Sequence, residues 1–413
     1  MTTLTAPRPA APATAARAGR LSPRAAFYLQ ISIIVFLLAG SSAPTPLYAL
    51  YQAEWGFSPI TVTVVFGVYA LAVLVALLIF GSLSDHVGRR PVLLAAVIVQ
   101  AATMLVFATA GGVSELLLAR VIQGLSTGAA VGALGAGLLD LDRVKGAVAN
   151  AVAPMTGTAV GALGSGLLVQ FLPDPARLVY LVLFGVFTVQ ALGVALMPET
   201  VTRVAGALGS LRPRVGVPPN ARRPLLLAAP AIVAVWALAG FYGSLGPTLM
   251  RLLTGSHSFV LGGLALFTLA GSGAVGVLLL RAVAAQPLMM IGVSALFAGV
   301  GLTLVAIATT SIWVFFLGAI AAGVGFGAAF QGALRTVLPL AAAHERAGVL
   351  SAIYVVSYLA MGLPAVIAGY LVVHGGGVLA TAREYGLGVM LLAAIVLLGT
   401  AWTARARRLA VIR

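Results

Sequence analysis

The sequence lacks cysteine and is poor in charged residues. None of its 413 residues is Cys, and only 8% are Asp, Glu, Lys or Arg. Without cysteine, the chain has no disulfide bond, thiolate metal site or cysteine nucleophile. Soluble domains carry about 25% charged residues, so this composition excludes an ordinary soluble enzyme, a nucleic-acid-binding protein and a disordered chain. No nucleotide-binding glycine loop occurs either, which excludes an ATP-driven pump unless a separate subunit supplies the ATPase.

Apolar residues make up 61% of the chain and occur in long stretches. A helix needs about 20 such residues to cross a bilayer, whereas strands of membrane barrels alternate apolar and polar residues and are much less hydrophobic overall. We therefore predict an all-α membrane protein with twelve transmembrane helices. They lie near residues 26–51, 59–82, 91–110, 114–139, 147–172, 177–198, 224–250, 257–280, 288–308, 312–338, 347–373 and 385–404.

Basic residues fall mainly on one side of these spans. With the N-terminus inside, twenty of the 24 Lys and Arg residues lie on that side, three lie on the other, and Arg120 lies within a span. Cytoplasmic loops of membrane proteins are enriched in Lys and Arg. This distribution predicts that both termini are cytoplasmic. It also accounts for the net charge of +15 without a nucleic-acid partner.

A long polar segment at 198–224, rich in Pro and Arg, divides six spans from six. The predicted organisation is a disordered cytoplasmic tail at 1–24, six-helix halves at 25–198 and 224–404, a linker at 199–223 and a basic cytoplasmic tail at 405–413. The first segment superficially resembles a transit peptide, but the apolar stretch behind it has full spanning length and leads into further spans.

A weak internal repeat relates the two halves. Gly124 matches Gly325, and Gly161 matches Gly362, when the sequence is shifted by 201 residues. Two six-helix halves repeated in parallel, with a substrate site between them at mid-membrane, form a known transporter plan. The repeat therefore predicts two pseudo-symmetric halves.

Two motifs carry a family resemblance. Residues 81–90, between spans 2 and 3, read G-S-L-S-D-H-V-G-R-R, and residues 120–128, in span 4, read R-V-I-Q-G-L-S-T-G. The first resembles the G-x-L-x-D-x-x-G-R-R loop signature of the major facilitator superfamily, and the second resembles its R-x-x-Q-G-x-x-x-G pattern. The chain is most similar to the twelve-span bacterial drug:proton antiporters of that superfamily. This implies a monomer in the bacterial cytoplasmic membrane.

The loop between spans 2 and 3 is a candidate gate. The resemblance assigns a cytoplasmic gate to Gly81, Asp85, Gly88, Arg89 and Arg90. Glycines allow tight turns and close helix approach, and partly exposed contacts of an aspartate with arginines are worth about 0.3–1 kcal/mol each. Such contacts are weak enough to break in every transport cycle. Without the resemblance, the same residues fit a solvated turn that sets topology.

Arg120 is the one basic residue inside a predicted span. An arginine near the bilayer centre costs about 2.5–3.5 kcal/mol on insertion scales, so it is expected to face the interior and mark a pathway. The alternative is that its side chain extends to the outer interface, paired with Glu115. The resemblance implies a role in proton coupling for Arg120, Gln123, Gly124 and Gly128. Gln123 is expected to hold the guanidinium or to bridge two helices.

Two features depart from the antiporter pattern. Span 5 reads A-P-M-T-G at 153–157, where those antiporters usually carry G-P-x-x-G-G. This departure weakens the argument for antiport. In the second half, residues 276–287 contain Arg281 but no acid, so the counterpart of the loop signature is degraded. Any latch is therefore expected in the first half only.

Spans 1, 4, 7 and 10 line the cavity in this superfamily, and span 11 is expected to contribute here. The candidate lining residues are Ser41, Ser42, Thr45, Tyr48, Gln123, Thr127, Trp236, Tyr242, Phe330, Gln331, Tyr354 and Tyr358. Hydroxyls, amides and aromatic rings suit an amphiphilic, neutral or weakly charged ligand, although each residue also fits ordinary helix packing. Pro44 and Pro46 must disturb span 1 and free backbone carbonyls, which membrane proteins tolerate where they line a cavity.

The acidic residues and histidines are all predicted at span ends or in loops, without metal-ligand spacing. We therefore expect no enzyme, metal or cofactor. The predicted function is secondary transport by alternating access, with protons driving the export of small amphiphilic compounds. The expected partners are a small-molecule substrate, protons and the lipid bilayer. Two alternatives stay open: a proton-coupled uptake permease for a small metabolite, and a non-transporting receptor, which would need a signalling domain of which the sequence shows no sign.

Overall fold

The computed structural model describes residues 19–342 and 344–411, with side chains as far as residue 400. In these residues the secondary structure is helical without a strand, and twelve helices are long and apolar enough to cross a membrane. The predicted all-α fold with twelve spans is therefore confirmed. Spans 1–12 are Pro23–Trp55, Pro59–Phe80, Arg89–Ala108, Val113–Leu141, Arg143–Phe171, Pro175–Leu196, Pro219–Ser244, Phe259–Leu279, Ala285–Thr309, Ile312–Leu340, Arg346–His374 and Gly377–Thr400.

The predicted tails fall largely outside the described residues, because residues 1–18 and the side chains of the C-terminal tail are not among them. The last residues of the N-terminal segment are held in place. The backbone N–H groups of Arg20 and Leu21 donate to the Leu196 carbonyl at 2.9 and 3.1 Å, and Ser22 caps the first helix. The chain is therefore attached to the end of span 6 before span 1 begins.

Spans 1 and 7 each end in a separate short helix. Span 1 consists of the helices Pro23–Ser42 and Pro44–Trp55, and the second begins with two prolines in three residues. Proline has no backbone N–H and cannot continue the hydrogen-bond ladder, so the predicted disturbance of span 1 is present. Span 7 is followed by the helix Gly246–Thr254. We call Pro44–Trp55 and Gly246–Thr254 the end segments of spans 1 and 7; both lie on the side opposite residues 81–90.

Each half has its own hydrophobic core, one built mainly from spans 1–6 and the other mainly from spans 7–12. The halves meet where span 2 packs on span 11 and span 5 packs on span 8. Small residues make this contact close: a Cβ added at Gly369 would lie 2.0 Å from Thr63 Oγ1, and one at Gly263 would lie 2.3 Å from the Ala162 carbonyl oxygen. Such close approach is typical of small residues in membrane helix interfaces.

The packing of spans 4 and 10 pairs residues of the two halves differently from the sequence repeat of 201 residues. A Cβ added at Gly124 would lie 2.5 Å from Ala72 Cβ of span 2. The equivalent contact in the second half is made by Gly323, whose added Cβ would lie 2.2 Å from the Leu269 carbonyl oxygen of span 8. The structural counterpart of Gly124 is therefore Gly323, and the predicted match with Gly325 is wrong by two residues. The sequence pattern misses this because span 10 has glycines at 323, 325 and 327.

Candidate functional site

The loop at residues 81–90 is folded tightly between spans 2 and 3. A four-residue helix, Ser84–Val87, is followed by Gly88 with a φ of 103°. Residues that carry a side chain rarely adopt a backbone conformation with a positive φ of this size. A Cβ at Gly88 would also lie 2.4 Å from Glu199 Oε2. Both constraints require glycine at this position. The backbone then turns into span 3, which begins at Arg89.

Arg89 connects two carboxylates. Its Nη1 lies 2.5 Å from Asp85 Oδ1 and its Nε lies 3.2 Å from Asp140 Oδ2, at the end of span 4. Nη1 also donates to Ser84 Oγ at 2.7 Å. The Arg89 side chain is only 8% exposed, so these charge-assisted bonds are partly shielded from solvent. The loop is thereby joined to the end of span 4.

Glu199 caps the start of span 3. Its carboxylate accepts from the backbone N–H of Arg89 at 2.8 Å and of Arg90 at 3.1 Å. The first N–H groups of a helix have no partner within the helix, and a negative charge there is favourable. The guanidinium of Arg90 in turn donates to the Ala195 carbonyl of span 6. The end of span 6 is therefore bound to the start of span 3 from both directions.

The polar segment between the halves also contacts this loop. Ser82 Oγ donates to the Ser210 carbonyl at 3.1 Å, and the N–H of Val204 donates to the His86 carbonyl at 3.0 Å. The loop residues predicted to act together are thus brought together, and they are joined to span 4, span 6 and the polar segment. A movement that separates span 4 from span 2 on this side would have to break the bonds of Arg89.

Arg120 lies inside the first half and is completely buried. Its Nη1 donates to the Ser41 carbonyl and to Gln123 Oε1, both at 2.8 Å, and its Nη2 donates to the Tyr48 hydroxyl. Gln123 Nε2 donates to the Gly40 carbonyl at 3.0 Å. Gln123 therefore both holds the guanidinium and bridges spans 4 and 1. These acceptors lie on either side of the break in span 1.

No carboxylate balances the charge of Arg120 among the described residues, where the four ion pairs all involve other side chains. Glu115 instead accepts from Ser114 Oγ at 3.1 Å. The guanidinium carbon lies 5.1 Å from the ring centre of Tyr69, within the range of cation–π attraction. Arg120 is thus stabilised by neutral acceptors and aromatic faces, and its Nε has no hydrogen-bond partner among the described residues.

Gly124 and Gly128 allow span 4 to approach span 2. A Cβ at Gly128 would lie 2.5 Å from the Val73 carbonyl oxygen, as the one at Gly124 would meet Ala72. Thr127, between them, is 1% exposed. The two glycines therefore fix how closely span 2, which carries Tyr69, packs beside Arg120.

The candidate residues of span 1 have different environments. Tyr48 binds Arg120, and Ser41 supplies a carbonyl to it while its hydroxyl donates to Leu38. Ser42 Oγ lies 2.9 Å from the Thr158 carbonyl of span 5, so it is part of a helix contact. Thr45 Oγ1 donates to the Gly243 carbonyl at 3.0 Å, which joins spans 1 and 7.

An aromatic cluster lies in the second half next to span 2. The ring centre of Trp236 lies 5.4 Å from that of Phe330 and 5.2 Å from that of Tyr358, and Tyr354 lies 6.2 Å from Tyr358. Both tyrosines pack against a cluster of span 2 in the first half, made of Tyr69, Val73 and Leu77. The indole Nε1 of Trp236 is buried without a hydrogen-bond partner among the described residues. A ligand acceptor would satisfy this donor.

Two other candidates differ from this group. Tyr242 packs inside the second half, stacked on Phe315 at 5.9 Å, and lines a gap of about 20 Å³ with Thr303. It lies away from the aromatic cluster. Gln331 follows Phe330 in span 10 and is half-buried. In the described residues no group of three or more His, Asp or Glu side chains could hold a metal.

Comparisons with known proteins decide the family. The family model of the Major Facilitator Superfamily matches residues 30–365. This chain belongs to the Major Facilitator Superfamily. A comparison with curated protein sequences gives no match. Among solved structures, the crystal structure of the human organic anion transporter MFSD10 (TETRAN) is similar, with a TM-score of 0.66 and 16% sequence identity over 91% of this chain and 100% of that chain. At this identity the likeness concerns the fold.

Membership of the Major Facilitator Superfamily establishes the general function. The chain is a secondary transporter in a membrane, with a small-molecule substrate and lipid around it. The prediction that it is not an enzyme is also confirmed, because members of this family are transporters. The drug:proton antiporter subtype, the transport direction and the proton coupling stay predictions.

Three residues of this site were not among the sequence candidates. Asp140 near the end of span 4, Glu199 just after span 6 and Tyr69 of span 2 lie at the two charged centres but outside the two motif segments. The sequence offered one signal, since Asp140 and Glu199 each stand at the end of a predicted span on the side of the signature loop. Nothing in the sequence around Tyr69 distinguishes it from other aromatic residues of an apolar span.

Proposed function

We propose that this transporter is a proton-coupled exporter of small amphiphilic compounds, neutral or anionic, that works by alternating access between its halves. The observation that carries the proposal is the buried, unbalanced charge of Arg120 at the break of span 1. A buried charge in a membrane helix is costly and marks a pathway. The segment 120–128 resembles the corresponding pattern of proton-coupled antiporters.

The chemistry of the site favours these substrates over cations. The buried charge is positive, and no carboxylate accompanies it in the described spans. The aromatic cluster around Trp236 offers flat apolar surfaces and one unsatisfied donor. A cationic ligand would gain cation–π contacts there but no ion pair. The fold neighbour is titled an organic anion transporter, which agrees with this preference.

Alternating access requires contacts that break on one side while others form. On the signature-loop side, the candidates are the bonds of Arg89 to Asp85 and Asp140, which lie within the first half and would break if span 4 moved away from the loop. On the opposite side, the bond from Thr45 to Gly243 joins the two halves. Because basic loops are retained inside the cell, we place the signature loop and both termini on the cytoplasmic side of a bacterial membrane.

The test is flux in proteoliposomes under an imposed pH gradient, with a panel of hydrophobic antibiotics, dyes and organic acids. We expect at least one amphiphilic compound to move against its gradient while dissipating the pH gradient. Arg120→Ala should abolish coupled transport yet leave folded protein in the membrane, and Arg177→Ala, which removes an exposed arginine in the first turn of span 6, is the control. If no antibiotic or dye dissipates the gradient, while a sugar or an organic acid enters with protons and dissipates it, the chain is an uptake permease.

A further inference from the structure

A crevice lies between the halves on the side opposite the signature loop. It has a volume of about 190 Å³ and is bounded by the end segments of spans 1 and 7 and by the start of span 8. The lining residues are Pro46, Ala49, Leu50, Ala53, Pro247, Arg251, His257, Ser258, Phe259 and Gly262. The wall of span 1 belongs to the first half and the other walls belong to the second. The crevice is therefore complete only when the halves are close on this side.

The walls of the crevice are mostly apolar. Pro46, Ala49, Leu50 and Ala53 are spaced at three and four residues, so they share one face of the end segment of span 1. Their side chains are small apart from the leucine, which leaves room beside the helix. On the other wall, a Cβ at Gly262 would lie only 3.1 Å from Pro247 Cβ. The end segment of span 7 is thus seated directly on span 8.

Two basic side chains stand in this apolar lining. Arg251 is half-buried, and its guanidinium forms no ion pair or hydrogen bond with any residue that the structure describes. His257 is exposed at the edge. The nearest acid along the lining helix is Glu54, which is exposed and forms no ion pair in the described part of the chain. A half-buried cation without a partner gains from an anionic ligand, and arginine binds carboxylates through two parallel hydrogen bonds.

We propose that this crevice binds a small organic anion, a carboxylate on an apolar body about the size of a benzene ring, and that the bound molecule holds the halves together on this side. The volume supports this size, because an apolar cavity of about 150 Å³ accommodates benzene. The carboxylate lies against Arg251, with His257 at the rim, and the ring lies against Ala49 and Ala53. A ligand that fits only the closed arrangement stabilises it by its binding energy.

Binding is tested without transport, so the outcome is independent of the proposed export. The purified full-length protein in dodecyl maltoside, which contains no phosphate, is titrated with benzoate and with benzyl alcohol by calorimetry. We expect benzoate to bind at least tenfold more tightly, since a hydrogen bond to a charged group is worth about a factor of ten or more. Arg251→Gln should remove this difference. Arg177→Gln, an exposed arginine on the same side that is paired with Asp174, should keep it.

A second variant separates shape from charge. Ala53→Phe fills the crevice and should weaken both ligands while Arg251 stays in place. Equal affinities for benzoate and benzyl alcohol, or benzoate binding that survives Arg251→Gln, would overturn the proposal. The titration is repeated in phosphatidylcholine nanodiscs. If benzoate binds in detergent but not in the nanodiscs, a lipid phosphate group binds Arg251 and the proposal of a free organic anion is wrong.

The closing effect has its own readout. The chain has no native cysteine, so a spin label reacts only at cysteines that are introduced. The double variant Ser114→Cys and Thr309→Cys places one label at an exposed position of each half. We expect benzoate to increase the population with the shortest label-to-label distance at least twofold, and benzyl alcohol to have a smaller effect. An unchanged distance distribution at saturating benzoate would refute the closing effect.

Discussion

Glu199 is expected to stabilise the start of span 3. Its carboxylate accepts from the N–H groups of Arg89 and Arg90 at 2.8 and 3.1 Å. These groups belong to the first turn, where a helix supplies no acceptor of its own. A lost cap costs about 1 kcal/mol, and a lost charge at a helix start costs about 0.3–1 kcal/mol. With two N–H groups affected, Glu199→Ala should destabilise this junction by about 2 kcal/mol.

Hydrogen–deuterium exchange at the first residues of span 3 measures this effect directly. A change of about 2 kcal/mol corresponds to about 30-fold faster exchange. Glu199→Gln keeps an accepting oxygen but loses the charge, so its effect should be smaller, about fivefold. Glu54→Ala is the control, because Glu54 is exposed on the opposite side. If both Glu199 variants exchange at the wild-type rate, the cap contributes nothing and the role assigned to Glu199 is refuted.

Three further predictions concern other parts of the chain. Arg120→Lys keeps the positive charge but loses the several N–H donors of the planar guanidinium, which bind Ser41 and Gln123. Coupled flux should therefore fall at least about tenfold while the yield of folded protein is unchanged, and flux at the wild-type rate would contradict this. Gly128→Ala should reduce the yield of folded protein, because its Cβ would lie 2.5 Å from a carbonyl of span 2, whereas Gly135→Ala, whose Cβ meets nothing within 3.8 Å, should express normally. Hydrogen bonds lower the pKa of the Asp142 carboxyl, and the largest contribution comes from the backbone N–H of Lys145, which donates to it at 2.9 Å. The stability difference between wild type and Asp142→Ala should therefore be constant near pH 7 and shrink below about pH 4; a difference that grows with acidity would contradict the assignment.

Elements set by local composition were predictable. The twelve spans follow from apolar length alone, and the positions of Gly81, Asp85, Gly88 and Arg89 follow from a continuous motif. Asp85 and Arg89 are only four residues apart, on either side of the turn at Gly88, so the loop itself brings their side chains together. These are interactions that a chain encodes within a few residues.

Contacts between distant spans were not predictable from one sequence. Glu199 reaches Arg89 from 110 positions away in the chain, and only the packing of span 6 beside span 3 brings them together. Helix rotation has the same limitation. Trp236 and Tyr242 both lie in span 7, but six residues rotate a helix by about 600°, which leaves the two side chains about 120° apart. The first reaches the aromatic cluster and the second packs on Phe315 inside the second half.

The register of the helix packing shows how the two halves divide the chemistry. Arg120 lies four residues before Gly124, and the residue four before its counterpart Gly323 is Ala319, which is completely buried. The same helix contact therefore carries a guanidinium in one half and a methyl group in the other. The aromatic cluster around Trp236 lies in the half that lacks the charge. A substrate between the halves would thus have polar chemistry on one side and aromatic surfaces on the other, and rocking one half against the other changes both contacts at once.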